Sequence, residues 1–267
     1  MDQIRIGNLR GKVWGYYGEC GRHDLPWRKD LSPYAILVSE VMLQQTQVAR
    51  VRTKFAEWMA EFPDFRSVAL ADGAAVLGVW QGLGYNRRGL WLREACRQVV
   101  EEYDGILPDD PAELVKLPGI GPNTAGSVAA FAYNEPVVFI ETNIRRVFIH
   151  EFFADAEGVT DAQLRPLIEA AIDYERPREW YWALMDYGAD LAKRVPNPNR
   201  RSKHYARQSA FEGSARQIRG EVLRQLLEAP KVRDELGISD GRLSSVLEGL
   251  EKDGLIERDG PIFRLAT

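Results

Sequence analysis

Apolar residues recur every three or four positions along most of the chain, the period of an amphipathic helix. The pattern predicts helices over 34–47, 51–61, 74–80, 89–103 and 124–132, with a shorter one over 111–116. Turn signals separate them, among them Phe62-Pro63-Asp64, Gly82-Leu83-Gly84 and the stretch from Gly105 to Pro111. Val137-Val138-Phe139-Ile140 could be a strand, but one short run makes no sheet. The first two hundred or so residues are therefore expected to be mainly α.

The pattern changes after Phe211-Glu212-Gly213-Ser214. A helix is expected over 217–228 and a second over 231–236, ended by Gly237. Ile238-Ser239-Asp240 caps a third over 241–252, with Leu243, Val246, Leu247 and Leu250 on one face. Leu255-Ile256-Glu257 and Ile262-Phe263-Arg264-Leu265 then flank Asp259-Gly260, a hairpin signal. Three helices followed by a hairpin are the order of a winged helix. No internal repeat is seen.

The 267 residues, 45% hydrophobic and 28% charged, fit one large domain or a domain with a small module. No apolar run reaches the ~18 residues that span a bilayer, and the start MDQIRIGNLRGK is no signal peptide. A cytoplasmic protein without a membrane partner is expected. Cys20 and Cys96 are too few for a disulfide framework or a four-cysteine site. The net charge of −4 speaks against nucleic acid until its distribution is considered. Residues 193–224 hold nine basic against two acidic side chains, +7 net, which leaves −11 for the remainder. Such a strip on an acidic body suits a phosphate backbone. Residues 229–267 hold six basic and eight acidic side chains. For that module, packing against the rest of the chain or a protein contact stands beside DNA reading.

Leu117-Pro118-Gly119-Ile120-Gly121 lies between two predicted helices. Its glycines let successive backbone N–H groups open at a helix N-terminus, a cradle for phosphate that reads no sequence. Around it stand, in this order, Leu25-Pro26-Trp27-Arg28, Ser39-Glu40-Val41-Met42-Leu43-Gln44-Gln45-Thr46, Gly82-Leu83-Gly84-Tyr85, the hairpin, and Ala183-Leu184-Met185-Asp186-Tyr187-Gly188-Ala189. Together they resemble the helix-hairpin-helix (HhH-GPD) DNA glycosylases, and within them the MutY-type adenine DNA glycosylases, over roughly residues 25–189. The resemblance implies a mainly α, two-lobed helix-hairpin-helix glycosylase fold over 1–212. One lobe would hold about 30–135 and the other the N-terminus with 136–212; the winged-helix-like module fills 213–267.

The resemblance also implies roles for particular side chains. Glu40 matches the family's acid, which protonates a ring nitrogen of the departing purine. Its apolar neighbours Val38, Val41, Met42 and Leu43 would keep a proton on it near neutrality. Glu141 takes the place of the family's aspartate and Asn143 keeps the asparagine, a pair that stabilises the oxocarbenium-like sugar. The extra methylene of Glu141 asks for a cleft adapted to it. Arg28 and Asn123 belong to the base pocket. Asn123 stands where strand-cleaving members have lysine, and without an amine no Schiff base forms, so a monofunctional enzyme is expected. Gln45 and Tyr85 match the residues that wedge into the duplex when a base is flipped out. Arg87 and Arg88 beside them, and Leu117, Gly119 and Gly121 in the hairpin, would meet phosphates.

Relatives also hold an iron–sulfur cluster through four cysteines after the segment matching 185–191. The stretch 192–211 has no cysteine, so no cluster and no other metal is expected, beyond a monovalent cation at the hairpin. Arg200, Arg201 and Lys203 would supply the positive charge directly. The function implied is removal of a mispaired base by a monomer acting on mismatched or damaged duplex DNA, with adenine opposite guanine or 8-oxoguanine as the leading substrate. Thymine or uracil opposite guanine is the alternative substrate, and a non-catalytic DNA-binding protein the alternative class.

Overall fold

The computed structural model describes residues 2–206 and 211–266; Arg207, part of the basic strip, lies outside them. The helices run α1 (Asp2–Cys20), α2 (Pro26–Lys29), α3 (Pro33–Leu43), α4 (Val48–Glu61), α5 (Phe65–Leu70), α6 (Gly73–Trp80) and α7 (Arg87–Glu102). They continue with α8 (Pro111–Leu114), α9 (Pro122–Tyr133), α10 (Thr142–Phe152), α11 (Asp161–Ala171), α12 (Pro177–Arg194), α13 (Ala215–Glu228) and α14 (Leu243–Lys252). Three short strands, β1 (Lys231–Val232), β2 (Ile256–Asp259) and β3 (Ile262–Leu265), form one antiparallel sheet in the order β1-β3-β2. No helix among the described residues is long and apolar enough to cross a membrane.

Most helix starts are written locally. Asp64 and Ser67 form a reciprocal capping box at α5, and Asp72 and Asp110 accept from the backbone of α6 and α8, satisfying N–H groups that have no partner within the helix. Pro111 and Pro122 sit at first-turn positions where no N–H is needed. The α9 helix ends on Asn134 in left-handed conformation.

The chain folds into two compact units, residues 1–40, 108–116 and 120–207 in one and 41–107, 117–119 and 208–267 in the other. The first is centred on α10 and α12, with an aromatic core in which Phe131, Phe139, Tyr181 and Trp182 pack ring to ring. The second is centred on Trp58 and Trp80, fully buried and edge to face. The C-terminal module joins this unit. Leu77 of α6 shares a core with Ile218, Val222, Leu226, Leu247 and Phe263, and Asp253 pairs with both Arg87 and Arg219.

Two local expectations are corrected. Residues 137–140 form no strand. Their polar backbone is satisfied by side chains instead, the Val137 carbonyl accepting from the Tyr181 hydroxyl and the Ile140 N–H donating to Asn123 Oδ1. Phe139 and Ile140 are buried one by one. The helix expected over 231–236 divides into β1 and a 3-10 turn, because Lys231 and Val232 pair with β3.

Gly119 has φ +76, and a Cβ there would lie 3.0 Å from the Trp91 side chain. Gly121 has φ −86 and open space around it. Gly119→Ala should therefore cost about 1–3 kcal/mol in chemical or thermal unfolding, while Gly121→Ala stays within about 0.5 kcal/mol of the parent.

Candidate active site

Glu40 lies on α3, one residue after the fully buried Ser39 and in a run of buried apolar side chains from Tyr34 to Val38. Burial pushes its carboxyl up to about 7, the Ser127 hydroxyl pulls it back, the nearby Glu141 charge raises it and Arg28 lowers it. Ser127 also reaches the Thr124 carbonyl at 3.0 Å. A hydroxyl that donates to Glu40 favours its ionised form, so Ser127 works against burial at this carboxyl.

Arg28 is almost fully buried and holds Asp186 through two parallel hydrogen bonds of 2.8 Å. Arg22 adds its backbone N–H at 2.7 Å and its Nε at 2.6 Å. Burial would raise the Asp186 carboxyl, but these donors hold it below its ordinary value. Arg28 also stacks over Trp182, 5.2 Å from the ring centroid. Its Nε is buried without a partner. Asp186 stands in one of the motifs quoted from the sequence, but its pairing with Arg28 joins residues 158 positions apart, which no local signal reveals.

Glu141 is the N-cap of α10. One oxygen accepts from the backbone N–H of Asn143 (2.6 Å) and Ile144 (2.8 Å), the other from Asn143 Nδ2 (3.2 Å). The longer side chain folds back onto its own helix, which absorbs the extra methylene. Burial raises this carboxyl above its ordinary value, and the two N–H groups, Arg146 and Arg145 offset only part of that rise. Asn143 Oδ1 accepts from Arg146 at 2.6 Å, which fixes the amide so that its N–H₂ faces Glu141. Arg146 also donates to the Gly188 carbonyl and to Asn197 Oδ1. Asn123 spends its amide oxygen on Ile140, the residue before Glu141. Burial thus raises both neighbouring carboxyls, and Glu141 alone collects three donors from its own helix turn.

Comparison with known proteins gives this geometry a family. The description "HhH-GPD superfamily base excision DNA repair protein" matches residues 38–169. A Mycobacterium tuberculosis protein named adenine DNA glycosylase is 35% identical over 267 residues, 88% of this chain and 86% of that protein. The chain belongs to the adenine DNA glycosylase family of the HhH-GPD superfamily. Among solved structures, a thermostable thymine-DNA glycosylase matches with a TM-score of 0.63 at 22% identity, covering 70% of this chain and 87% of that one. An endonuclease III in a non-covalent DNA complex matches with 0.59 at 18%, covering 69% and 84%. Both show the glycosylase fold.

Within this family member, the residues expected at DNA separate into exposed and buried groups. Gln45 and Tyr85 are exposed, with Tyr85 Oη within 3.1 Å of Arg216 on α13. Arg87 is half-exposed, paired with Asp253 and stacked on Trp91. Arg88, expected at a phosphate, is instead buried and bonded to backbone carbonyls, because α7 points it inward. The Leu117 side chain belongs to the core, so only its backbone is open to a ligand. Arg201 is half-buried and donates to the Ala154 carbonyl at an exposed position, whereas Arg200 and Lys203 are exposed.

The side chains present do not fit a four-thiolate cluster. The chain has two cysteines, Cys20 on α1 and the buried Cys96 on α7, whose thiol burial pushes up. Among the described residues no group of three or more His, Cys, Asp or Glu could hold a metal ion. The segment after α12 is fastened by hydrogen bonds. Asn199 Nδ2 donates to the Thr142 carbonyl at 2.9 Å, and the backbone of 201–203 bridges to Val159. Asn197 caps the 3-10 turn Pro198–Arg201.

With its pKa raised from 4.5 to about 7, Glu40 keeps in the folded state a proton that the unfolded chain releases across that interval. Its favourable contribution is present below pH 4.5 and is lost as the pH rises to about 7. Glu40→Gln should remove that decline, so the variant gains up to about 2–3 kcal/mol over the parent above neutrality and almost nothing in acid, as read by urea unfolding at several pH values. Gly188→Ala tests the packing of α12 on α10. A Cβ there falls 2.5 Å from the Asn143 carbonyl oxygen, so the backbone must move. The variant should melt several degrees lower and lose about tenfold or more in base-release rate.

Proposed function

We propose that this chain is a monofunctional DNA glycosylase of base excision repair that hydrolyses the N-glycosidic bond of adenine mispaired with guanine or 8-oxoguanine. The observation that carries the reading is the pair of neighbouring carboxyls, Glu40 raised to about 7 by burial and Glu141 held by three donors, in a chain 35% identical to a named adenine DNA glycosylase. A protonated Glu40 gives its proton to a ring nitrogen of the flipped adenine, and the glycosidic bond breaks with its electron pair leaving on the base. The Glu141 carboxylate faces the positive charge that develops on the sugar, and water adds to the anomeric carbon as its proton passes to that carboxylate. Arg28, fixed on Asp186, offers its unpaired Nε–H to an acceptor in the base pocket. Asn123 has no amine for a Schiff base, which supports hydrolysis without strand cleavage.

Duplex DNA carrying the mispair is the partner. Gln45 and Tyr85 fill the gap left by the flipped base, and the backbone at Gly119 and Gly121, with Arg87, Arg200 and Lys203, holds phosphates. The enzyme works as a cytoplasmic monomer without an iron–sulfur cluster; a monovalent cation at the hairpin carbonyls is the one ion this reading admits.

Base release from duplexes carrying A·8-oxoG, A·G, T·G and U·G tests the substrate. Adenine should be released from the first two, the rate should fall about 100-fold or more in Glu40→Gln, and borohydride should trap no protein–DNA adduct. Product from T·G or U·G alone, or a trapped adduct, would overturn the reading.

A further inference from the structure

Three exposed non-glycine residues of the 41–107 unit hold left-handed backbone conformations, Asp104 at φ +52 in the turn after α7, and Gln45 at φ +55 and Tyr85 at φ +48. Each conformation costs roughly 1 kcal/mol and persists only where the surroundings enforce it. Gly82 and Gly84 beside Tyr85 also have positive φ, +90 and +73. The loops of Gln45 and Tyr85 are separated by about 40 residues of sequence, yet one side chain joins them.

That side chain is Arg88, only 6% exposed. Its Nη1 donates to the carbonyls of Val41 (2.8 Å), Met42 (3.0 Å) and Gln44 (2.5 Å), the last turn of α3 and the residue before Gln45. Its Nη2 donates to Thr46 Oγ1 (2.9 Å) and to the carbonyls of Leu83 (3.3 Å) and Gly84 (3.0 Å), the two residues before Tyr85. Thr46 Oγ1 donates in turn to the Leu83 carbonyl at 3.3 Å. The guanidinium also lies over the rings of Trp80 and Tyr85, 5.3 and 5.6 Å from their centroids. A buried cation facing carbonyls rather than a carboxylate is a costly arrangement, and its Nη groups face the end of α3, the Thr46 hydroxyl and the loop before Tyr85. A lysine, with one nitrogen and no planar fork, cannot span both loops.

We propose that Arg88 is a positioning residue that locks the loops of Gln45 and Tyr85 into one preset wedge, so that both side chains enter the duplex together. This rests on Gln45 and Tyr85 being the wedging residues. Without Arg88 each loop relaxes toward ordinary backbone conformations, and the wedge must be ordered during flipping.

Arg88→Lys, Tyr85→Ala and the double variant, with 2-aminopurine beside the mispaired base, test this in the full-length protein. Arg88→Lys should lower both the fluorescence rise that reports unstacking and the single-turnover release rate by about tenfold. The pH at which the Glu40-dependent rate bends should stay in place. In the Tyr85→Ala background the same substitution should cost much less, a coupling that independent sites do not show. Equal losses in both backgrounds, or a moved pH midpoint with unstacking intact, would overturn the proposal while leaving the wedge reading standing. A Tyr85→Ala protein that unstacks and excises normally would overturn the wedge reading itself. Should Arg88→Lys fail to fold, Thr46→Val removes only the hydroxyl that bridges the two loops; it should give a smaller loss of the same fluorescence signal, and an unchanged signal would count against the proposal.

Discussion

The candidate site depends on withholding water from one carboxyl while feeding hydrogen bonds to another. Removing solvent from Glu40 favours its neutral form, and the charge of Glu141 pushes the same way. Glu141 feels burial too, but it sits at the N-terminus of α10 and collects two backbone N–H groups and an amide. Burial raises both carboxyls, and the donors that backbone placement gives Glu141 offset part of its rise. Ser127 acts on Glu40, Asn143 and Arg146 act on Glu141, and Gly188 leaves room for Asn143 beside α12.

Buried arginines do much of the organising. Arg28 meets a carboxylate in a bidentate pair, Arg146 meets an amide oxygen and a helix carbonyl, and Arg88 meets five carbonyls and a hydroxyl. The planar fork suits this use because it can satisfy several fixed acceptors at once with little loss of freedom per bond. It also explains why reading every arginine as a phosphate contact fails for Arg88. A cation on a helix of mixed polarity can face either side, and only the packing decides which.

The helical elements were legible because each carries its own punctuation. Asp64, Asp72 and Asp110 mark starts and the apolar spacing marks the buried faces. The hairpin of the C-terminal module was legible from Asp259-Gly260 and the alternation around it. The errors fell where pairing is non-local. Residues 137–140 have strand-like composition but give their hydrogen bonds to Tyr181 and Asn123, and Lys231-Val232 looked helical until β3 supplied a partner. The absence of cysteine from 192–211 was plain in the sequence; the asparagine and backbone bonds that fasten that segment were not.

Residue chemistry and order along the chain, by themselves, determined the mainly helical class, the family, the two glutamates, the missing amine at Asn123 and the missing thiols. These are properties of local spacing and of which functional groups exist at all. Tertiary structure alone decided that Glu40 holds its proton to about pH 7, that Asp186 anchors Arg28, that Glu141 caps its own helix, and that Arg88 faces inward. Each of those depends on desolvation and on partners distant in sequence. Both vary steeply with position in three dimensions and leave no periodic trace in the chain.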